Sequence, residues 1–217
     1  MRSFGSIARS VLALGALSLV AQSASAVGIL RITEWMYNGD EFIEFTNVGD
    51  AAVDLTGWSF DDNSRAAGTV SLSAFGVVAA GQSVILSEAD AATFRSQWNL
   101  SSGVSVIGGN TANLGRGDEI NLYDAAANLI DRLTYDDLAI GGPRTQNISA
   151  NILSANLGAN AAALAVASTV GDSFGSVASL AGYIANPGRY PVPEPAAVVL
   201  LGAALCTLRL RRNRRAA

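Results

Sequence analysis

Three glutamates in the first quarter of the chain are the best candidates for acid–base chemistry. Glu34, Glu41 and Glu44 fall within one short stretch, and a glycosidase needs a pair of such carboxylates to flank the bond that it cleaves. In a strand, Glu41 and Glu44 point to opposite faces, because three residues is an odd spacing. We therefore expect those two not to act together. We also expect Glu44, between Ile43 and Phe45, to be partly buried in a structural ion pair with an arginine.

The residue types that are missing narrow the chemistry further. The 217 residues include no histidine and one cysteine, Cys206. This excludes Ser-His-Asp and Cys-His nucleophiles and every histidine-ligated metal site. It also excludes an internal disulfide framework and a cysteine-ligated zinc cluster.

Asp61, Asp62 and Asn63 form a local group of the oxygen ligands that Ca²⁺ prefers. Arg65 stands where an EF-hand loop would need another ligand, and no glutamate closes a twelve-residue loop. These three residues therefore carry only the hypothesis of a weak extracellular Ca²⁺ site, and no other cofactor is predicted. The alternative is a turn with solvated aspartates.

Two other acidic pairs, Asp118-Glu119 and Asp136-Asp137, are also interpreted as turns with solvated carboxylates. Arg116-Gly117-Asp118 matches an adhesion tripeptide of other proteins. Because Gly115 precedes it and a predicted strand follows, a β-turn explains the tripeptide.

Residues 1–26 have the features of a secretory signal peptide. A positively charged start precedes the short apolar core 11–21, and Ala24 and Ala26 fit the small-residue rule for cleavage by signal peptidase. A first transmembrane helix is the alternative, but a span needs about 20 apolar residues. We therefore expect cleavage after Ala26.

The C-terminal end, residues 192–217, combines three elements in order. The tetrapeptide Val192-Pro193-Glu194-Pro195 precedes the apolar run 196–208. Five arginines then follow: Arg209, Arg211, Arg212, Arg214 and Arg215. The prolines prevent a helix from beginning earlier, and the arginines mark a cytoplasmic end. The pattern predicts an exported chain held in the membrane by its tail.

These elements closely resemble the PEP-CTERM sorting signal. The resemblance implies that an exosortase recognises the tail and removes the helix of an inner-membrane-anchored precursor. The mature protein would then go to the cell surface or the extracellular matrix of a Gram-negative bacterium. The alternative is a permanent C-terminal anchor behind a proline-rich stalk.

Residues 27–191, between the two ends, are strongly acidic. They hold seventeen of the eighteen acidic residues but seven of the fourteen arginines. A partner that is nucleic acid is therefore not expected, because phosphate binding needs a basic face. Cations or basic partners are easier to accommodate, and the alternative is an acidic surface that keeps a secreted protein soluble.

The length of residues 27–191 fits one domain, and short alternating runs separated by Gly/Asn/Asp turns predict β-structure. The predicted strands are 29–36, 41–46, 84–86, 119–123 and 130–135. One helix is predicted over Ser87 to Gln97, with Ser87 as its N-cap. Trp35 and Trp58 are expected in the core, the alternative being a platform on which a ligand stacks.

Several blocks carry a second resemblance. Examples are Ile32-Thr33-Glu34-Trp35-Met36, Glu41-Phe42-Ile43-Glu44-Phe45, Val53-Asp54-Leu55-Thr56-Gly57-Trp58 and Gly117-Asp118-Glu119-Ile120-Asn121-Leu122-Tyr123. Their order resembles the lamin-tail domain from about Ile29 to Tyr135, and Asn186-Pro187-Gly188-Arg189-Tyr190 is similar to the close of bacterial members. Residues 136–185 match poorly. The family implies an immunoglobulin-like β-sandwich with a binding or structural role. It implies no set of catalytic residues for this chain.

The sequence thus predicts an all-β, immunoglobulin-like β-sandwich with one short helix, an N-terminal signal and a C-terminal hydrophobic helix. The expected role is non-enzymatic, as a surface or matrix component that binds exopolysaccharide or envelope proteins. A secreted hydrolase that uses carboxylates, with or without a metal ion, is the alternative.

Overall fold

A computed structural model describes residues 25–192 of the chain. The apolar core of the predicted signal peptide and the predicted C-terminal helix lie outside these residues, as do Pro193-Glu194-Pro195. Within the described range no helix is long and apolar enough to cross a membrane.

The described residues form fourteen strands and one α-helix, α1 (Ala91–Trp98). In chain order the strands are β1 (Leu30–Met36), β2 (Phe42–Asn47), β3 (Val53–Asp54), β4 (Ser59–Asp61), β5 (Val70–Ser71), β6 (Val77–Val78), β7 (Ser83–Ser87), β8 (Ser105–Ile107), β9 (Gly117–Tyr123), β10 (Leu129–Asp136), β11 (Ala150–Asn151), β12 (Val166–Ala167), β13 (Val177–Ala178) and β14 (Ile184–Ala185). Three short 3₁₀ turns lie at Ser73–Phe75, Ser154–Asn156 and Ala162–Leu164. All five strands predicted from the sequence are present.

Two sheets form a β-sandwich. The larger has the order β12-β11-β1-β2-β7-β8, and the smaller has the order β10-β9-β4-β5. Neighbouring strands are antiparallel except β7 and β8, which are parallel. Two two-stranded ladders, β3-β6 and β13-β14, lie beside them. The all-β prediction is confirmed.

The core between the sheets follows from the alternation of side chains along each strand. Ile43 and Phe45 of β2 point inward from the larger sheet, and Ile120 and Leu122 of β9 point inward from the smaller one. All four are at most 1% exposed. Burying such side chains contributes about 1.5–3 kcal/mol each.

The helix begins later than the sequence suggested. Ser87 is the last residue of β7 and pairs with Phe42, so it belongs to the sheet. Asp90 is the N-cap instead, and its Oδ1 accepts hydrogen bonds from the amides of Ala92 at 3.1 Å and Thr93 at 3.0 Å. An N-cap aspartate satisfies amides that have no partner inside the helix.

Helix α1 covers one end of the outer face of the larger sheet. Phe94 and Trp98 pack on Phe42, with ring centroids 5.4 and 6.3 Å away. Met36 and Ile85 complete this second apolar cluster. The larger sheet is therefore buried on both faces at this end.

Residues 168–190 cover the rest of that outer face. Ser168 donates its amide to Ser149 at 2.9 Å, and Ser149 donates its own amide to Ile184 at 2.8 Å. The final part of this cover, residues 186–190, lies directly on β1 and β2 and is called the strap below. The Ala/Asn/Ser/Gly-rich residues 136–185, which match the family pattern poorly, thus contribute β11 and β12 to the larger sheet and, from residue 168 onward, part of its cover.

Candidate functional site

Two of the candidate glutamates meet in the middle of the covered face. Glu34 of β1 and Glu44 of β2 are direct cross-strand partners, and both are fully buried. Cβ atoms of such partners are about 5 Å apart, so the two carboxyl groups share one environment. Glu41 lies elsewhere and accepts a hydrogen bond from the Leu114 amide at 2.8 Å. This agrees with the expectation that Glu41 and Glu44 do not act together.

A β-bulge brings the pair together. The register of β1 on β2 shifts between Ile32 and Glu34, which leaves Thr33 as the extra residue. Ile32 and Trp35 therefore both reach the core although they are three residues apart. Bulges re-aim side chains in this way, and here the bulge leaves Glu34 on the outer face opposite Glu44.

The partners of Glu44 are hydroxyl and amide groups. Its Oε1 accepts from the hydroxyls of Thr33 at 2.8 Å and Thr46 at 3.2 Å. Its Oε2 accepts from the amide of Gly188 in the strap at 2.7 Å. The prediction of an ion pair between Glu44 and an arginine was wrong, because no arginine among residues 25–192 lies within salt-bridge distance of this carboxyl. Hydrogen bonds take its place.

Glu34 is held in a similar way. Its Oε1 accepts from the Ser149 hydroxyl and from the amide of Asn186 in the strap, the latter at 2.9 Å. Its Oε2 has no hydrogen-bond partner. A buried ionised oxygen without a donor costs several kcal/mol, so this atom favours a protonated carboxyl.

A polar network extends the site sideways beneath the cover. The Ser149 hydroxyl is 2.7 Å from the Ser168 hydroxyl. Asn151 donates to Ser168 at 3.0 Å and to the Asn186 side chain at 2.7 Å. The side-chain Nδ2 of Asn186 in turn donates to Oδ1 of Asn151 at 3.1 Å and to the backbone carbonyl of Arg189. The strap is thus fastened by side chains as well as by its own backbone.

Burial dominates the acid–base behaviour of the pair. Burial, with the nearby charge of Glu44 as the next cause, raises the pKa of Glu34 well above its ordinary value. Burial raises the pKa of Glu44 to about 7, although hydrogen bonds from Thr33, Gly188 and Thr46 oppose the increase. Desolvation penalises the charged form of each carboxyl.

The proposed Ca²⁺ ligands have other partners. Asp61 accepts hydrogen bonds from the Ser64 hydroxyl at 2.8 Å and the Ala66 amide at 2.8 Å. Asp62 accepts from the Ser64 amide at 3.1 Å, and Asn63 is exposed. No group of three or more His, Cys, Asp or Glu residues within 25–192 is arranged to hold a metal ion. The geometry gives the Ca²⁺ hypothesis no support, because the aspartates face donors that stabilise a turn.

The outer face of the smaller sheet carries ion pairs. Arg65 donates to both carboxylate oxygens of Glu119, at 2.7 and 2.6 Å, and Arg132 lies 3.8 Å from the same carboxylate. The hydrogen bonds from Arg65 lower the pKa of Glu119 to about 2. Arg116 of the Arg-Gly-Asp string pairs with Asp137 at 2.6 Å.

The two tryptophans belong to the core. Trp35 is fully buried and its ring lies 5.5 Å from that of Tyr135. Trp58 is half-buried and packs against the same core. Neither ring forms an open platform, and Gly57 before Trp58 adopts a φ of +79° in close approach to Ala125, as a glycine permits.

The described surface has depressions at the edge of the strap and on the smaller sheet. One of about 150 Å³ lies between the end of α1 and the strap, lined by Trp98, Val104 and Arg189 among others. The second, about 340 Å³, is a shallow groove on the smaller sheet beside Arg65 and Glu119. Neither is lined by the Glu34–Glu44 pair, which is closed off by the strap.

Sequence reasoning identified both glutamates but missed their meeting. The signal available was the odd spacing of Ile32 and Trp35, which indicates a bulge if both are core residues. Nothing local in the sequence points to Ser149, Asn186 and Gly188 as partners, because each lies more than 100 residues from the glutamate that it contacts.

A comparison with known families agrees with this architecture. The family model described as Lamin Tail Domain matches residues 23–137, just over half of the chain. That range holds ten of the fourteen described strands: the four strands of the smaller sheet, strands β1, β2, β7 and β8 of the larger sheet, and the β3-β6 ladder. A search of curated proteins gives no match. The chain belongs to the lamin tail domain family.

Proposed function

We propose that the protein is an exported, non-enzymatic binding or structural module of the cell surface or extracellular matrix. Its signal peptide would be removed after Ala26, and an exosortase would act on the tail that begins at Val192. The tail pattern of two prolines, an apolar run and five arginines supports this proposal.

The proposal rests on the position of the folded domain, which lies between the two predicted processing points. Val27, the residue after the predicted cleavage, donates its amide to Asp50 at 2.6 Å and accepts from the Asp50 amide at 3.0 Å. At the other end, Tyr190 is buried and donates its hydroxyl to Ile152 at 2.5 Å. Processing at both points would leave this body intact.

A binding role is supported over a catalytic one by the state of the carboxyl pair. A hydrolase needs convergent carboxyls that open into a pocket. Glu34 and Glu44 have raised pKa values, but the strap lies between them and the surface. The acidic residues 27–191 favour a cationic or neutral partner, such as a basic envelope protein or a polysaccharide bridged by cations.

The test is the mass of the mature protein. The full chain would be expressed in an exopolysaccharide-producing Gram-negative host with and without its exosortase, and the released protein weighed. We expect a product that begins at Val27 and lacks the run 196–208 only when the exosortase is present. A P193A/P195A variant is the matched control and should remain in the membrane. A released product that retains residues 196–217 would overturn the sorting proposal.

The hydrolase alternative has its own assay. The raised pKa values of Glu34 and Glu44 are the observations in its favour. Incubation of the protein with surface polysaccharide should release no reducing ends. Release that disappears in an E44Q variant would establish the hydrolase instead.

A further inference from the structure

The strap is fastened to the sheet by two of its own backbone amides. Asn186 donates to Glu34 at 2.9 Å and Gly188 donates to Glu44 at 2.7 Å. These amides are two residues apart, so consecutive contacts of one short segment end on the two members of one carboxyl pair. The strap finishes at Tyr190, two residues before Val192, where the predicted sorting tail begins.

Among residues 25–192, the pair has no cationic partner within salt-bridge distance. The titratable groups that face it are Asp172, from the turn before β13, and Tyr190, from the strap itself. The charge of Asp172 raises the pKa of Glu34 further. Hydroxyl and amide groups donate to Oε1 of Glu34 and to both carboxyl oxygens of Glu44. No arginine of residues 25–192 lies within salt-bridge distance of the pair. Protons are therefore the ligands that neutralise the pair.

We propose that the strap is a proton-controlled latch: it lies closed on the sheet while the Glu34–Glu44 pair is protonated and opens when the pair ionises. The consequence for the tail rests on the proposed function. In a neutral or alkaline compartment the strap would open and the chain before Val192 would become extended and accessible to a membrane protease, whereas acidic conditions would hold it against the domain.

The direction follows from linkage. Two adjacent carboxylates that are both ionised repel each other and lose hydration beneath the strap. Opening the strap returns water to both. The open state therefore binds protons less tightly than the closed state, and raising the pH shifts the equilibrium toward the open state.

The size of the effect can be stated for Glu44. Its pKa is about 7 when closed and would return toward the ordinary value of about 4.5 when open. Linkage between these two values predicts that the opening equilibrium increases about tenfold between pH 6 and pH 8.

Hydrogen exchange on the full chain in detergent micelles tests the latch. Protection of the peptide that contains Asn186 and Gly188 would be measured from pH 5.5 to 8.5, corrected for intrinsic exchange rates. We expect an about tenfold loss of protection between pH 6 and pH 8, while a peptide from β9 stays protected. Because the wild-type profile is informative alone, the test does not depend on any variant folding.

Glu34→Gln and Glu44→Gln keep the shape of each side chain and remove its charge. We expect both variants to reduce the pH dependence of strap protection. Glu119→Gln, which removes an ion-paired carboxylate on the other sheet, is the matched control and should leave the strap profile unchanged.

Three results would overturn the latch. One is strap protection in the wild type that does not change with pH. Another is full pH dependence that persists in both glutamine variants. The third is restoration of protection at pH 8 by Ca²⁺ but not by Ca²⁺ with excess chelator, which would make the pair a cation site.

Failure of the latch is distinguishable from failure of the sorting proposal. Hydrogen exchange is read without an exosortase, and tail removal is read by mass in cells. A pH-dependent strap with an uncleaved tail would support the latch and contradict sorting, and a cleaved tail with a pH-independent strap would do the reverse.

Discussion

On the outer face of the smaller sheet, Glu119 is held by Arg65 at 2.6 Å and lies 3.8 Å from Arg132. On the outer face of the larger sheet, Glu34 and Glu44 lie side by side with hydroxyl and amide donors. The same residue type therefore has a pKa lowered to about 2 on one sheet and raised pKa values on the other. The strap makes the difference, because it excludes water from one face and its Arg189 is not within salt-bridge distance of either glutamate.

The two arrangements respond to pH in opposite directions. An ion-paired carboxylate stabilises the fold above its unfolded pKa and loses that contribution in acid. A buried carboxyl with a raised pKa stabilises the fold in acid and loses that contribution as the pH increases. Three substitutions and one pH profile test this contrast, and the substitutions are given in order of decreasing expected effect.

Asn186→Ala should have the largest effect, a loss of about 3 kcal/mol in the free energy of unfolding. The change removes the side chain that bonds Asn151, Ser176 and the backbone of Arg189, and it leaves buried polar groups without partners. Urea denaturation of the full chain in detergent measures it. Asn63→Ala, at an exposed position, is the control and should lie within about 0.5 kcal/mol of the wild type. Equal effects of the two would show that the cover adds no more stability than an exposed turn.

Glu44→Gln should stabilise the protein at pH 8 by on the order of 2 kcal/mol. The wild type must ionise a buried carboxyl with a pKa of about 7, and glutamine cannot ionise. At pH 5 the wild-type carboxyl is protonated when folded, so the advantage should disappear. Thermal unfolding at both pH values tests this. A variant that is less stable at pH 8 than the wild type would mean that the ionised form is the native one.

The pH profile of the wild type should show maximal stability near pH 5. Above that value Glu44, with a pKa of about 7, and Glu41, with a pKa of about 8, cause a decline as the pH increases. The decline amounts to about 1.4 kcal/mol per pH unit for each proton released. Below about pH 4.5, Glu119 causes a decline on the acid side as the pH falls toward 2. Circular dichroism melts from pH 3 to 9 measure both limbs, and stability that increases from pH 5 to 8 would contradict the assignment.

Arg65→Ala should have the smallest effect of the three substitutions, a decrease of a few degrees in Tm at pH 7. Arg65 is 55% exposed on its side chain, and exposed pairs are weakened by solvent and salt. The decrease should shrink toward pH 2, where Glu119 becomes protonated. Arg116→Ala, another exposed pair, serves as the comparison, and a decrease that grows in acid would be inconsistent with an ion pair.

Local pattern was enough to predict much of the fold. The alternating runs at residues 41–46 and 119–123 predicted β2 and β9, because a period of two residues is typical of a strand. The glycine and asparagine turns between such runs indicated antiparallel neighbours. The helix was predicted in the right place, but its N-cap moved from Ser87 to Asp90, since sheet pairing took the serine.

The site and its cover depended on information that no local pattern contains. The strands β11 to β14 are two residues long, too short for any periodicity, and turns such as the one built on Asp172 hold the chain between them. The meeting of Glu34 and Glu44 required a bulge at Thr33 and a specific register. Signals at the two ends of the chain, by contrast, can be interpreted from the sequence alone and stay predictions here.

The order of strands in the larger sheet also has a consequence for the time course of folding. β1, the first strand of the chain, pairs on one side with β2 and on the other with β11, and its Glu34 meets Asn186, 152 residues away. Folding is slow when such long loops must close, because the chain loses conformational entropy before the distant residues gain contacts. A chain that emerges N-terminus first therefore cannot complete its larger sheet until nearly all of the domain has been delivered.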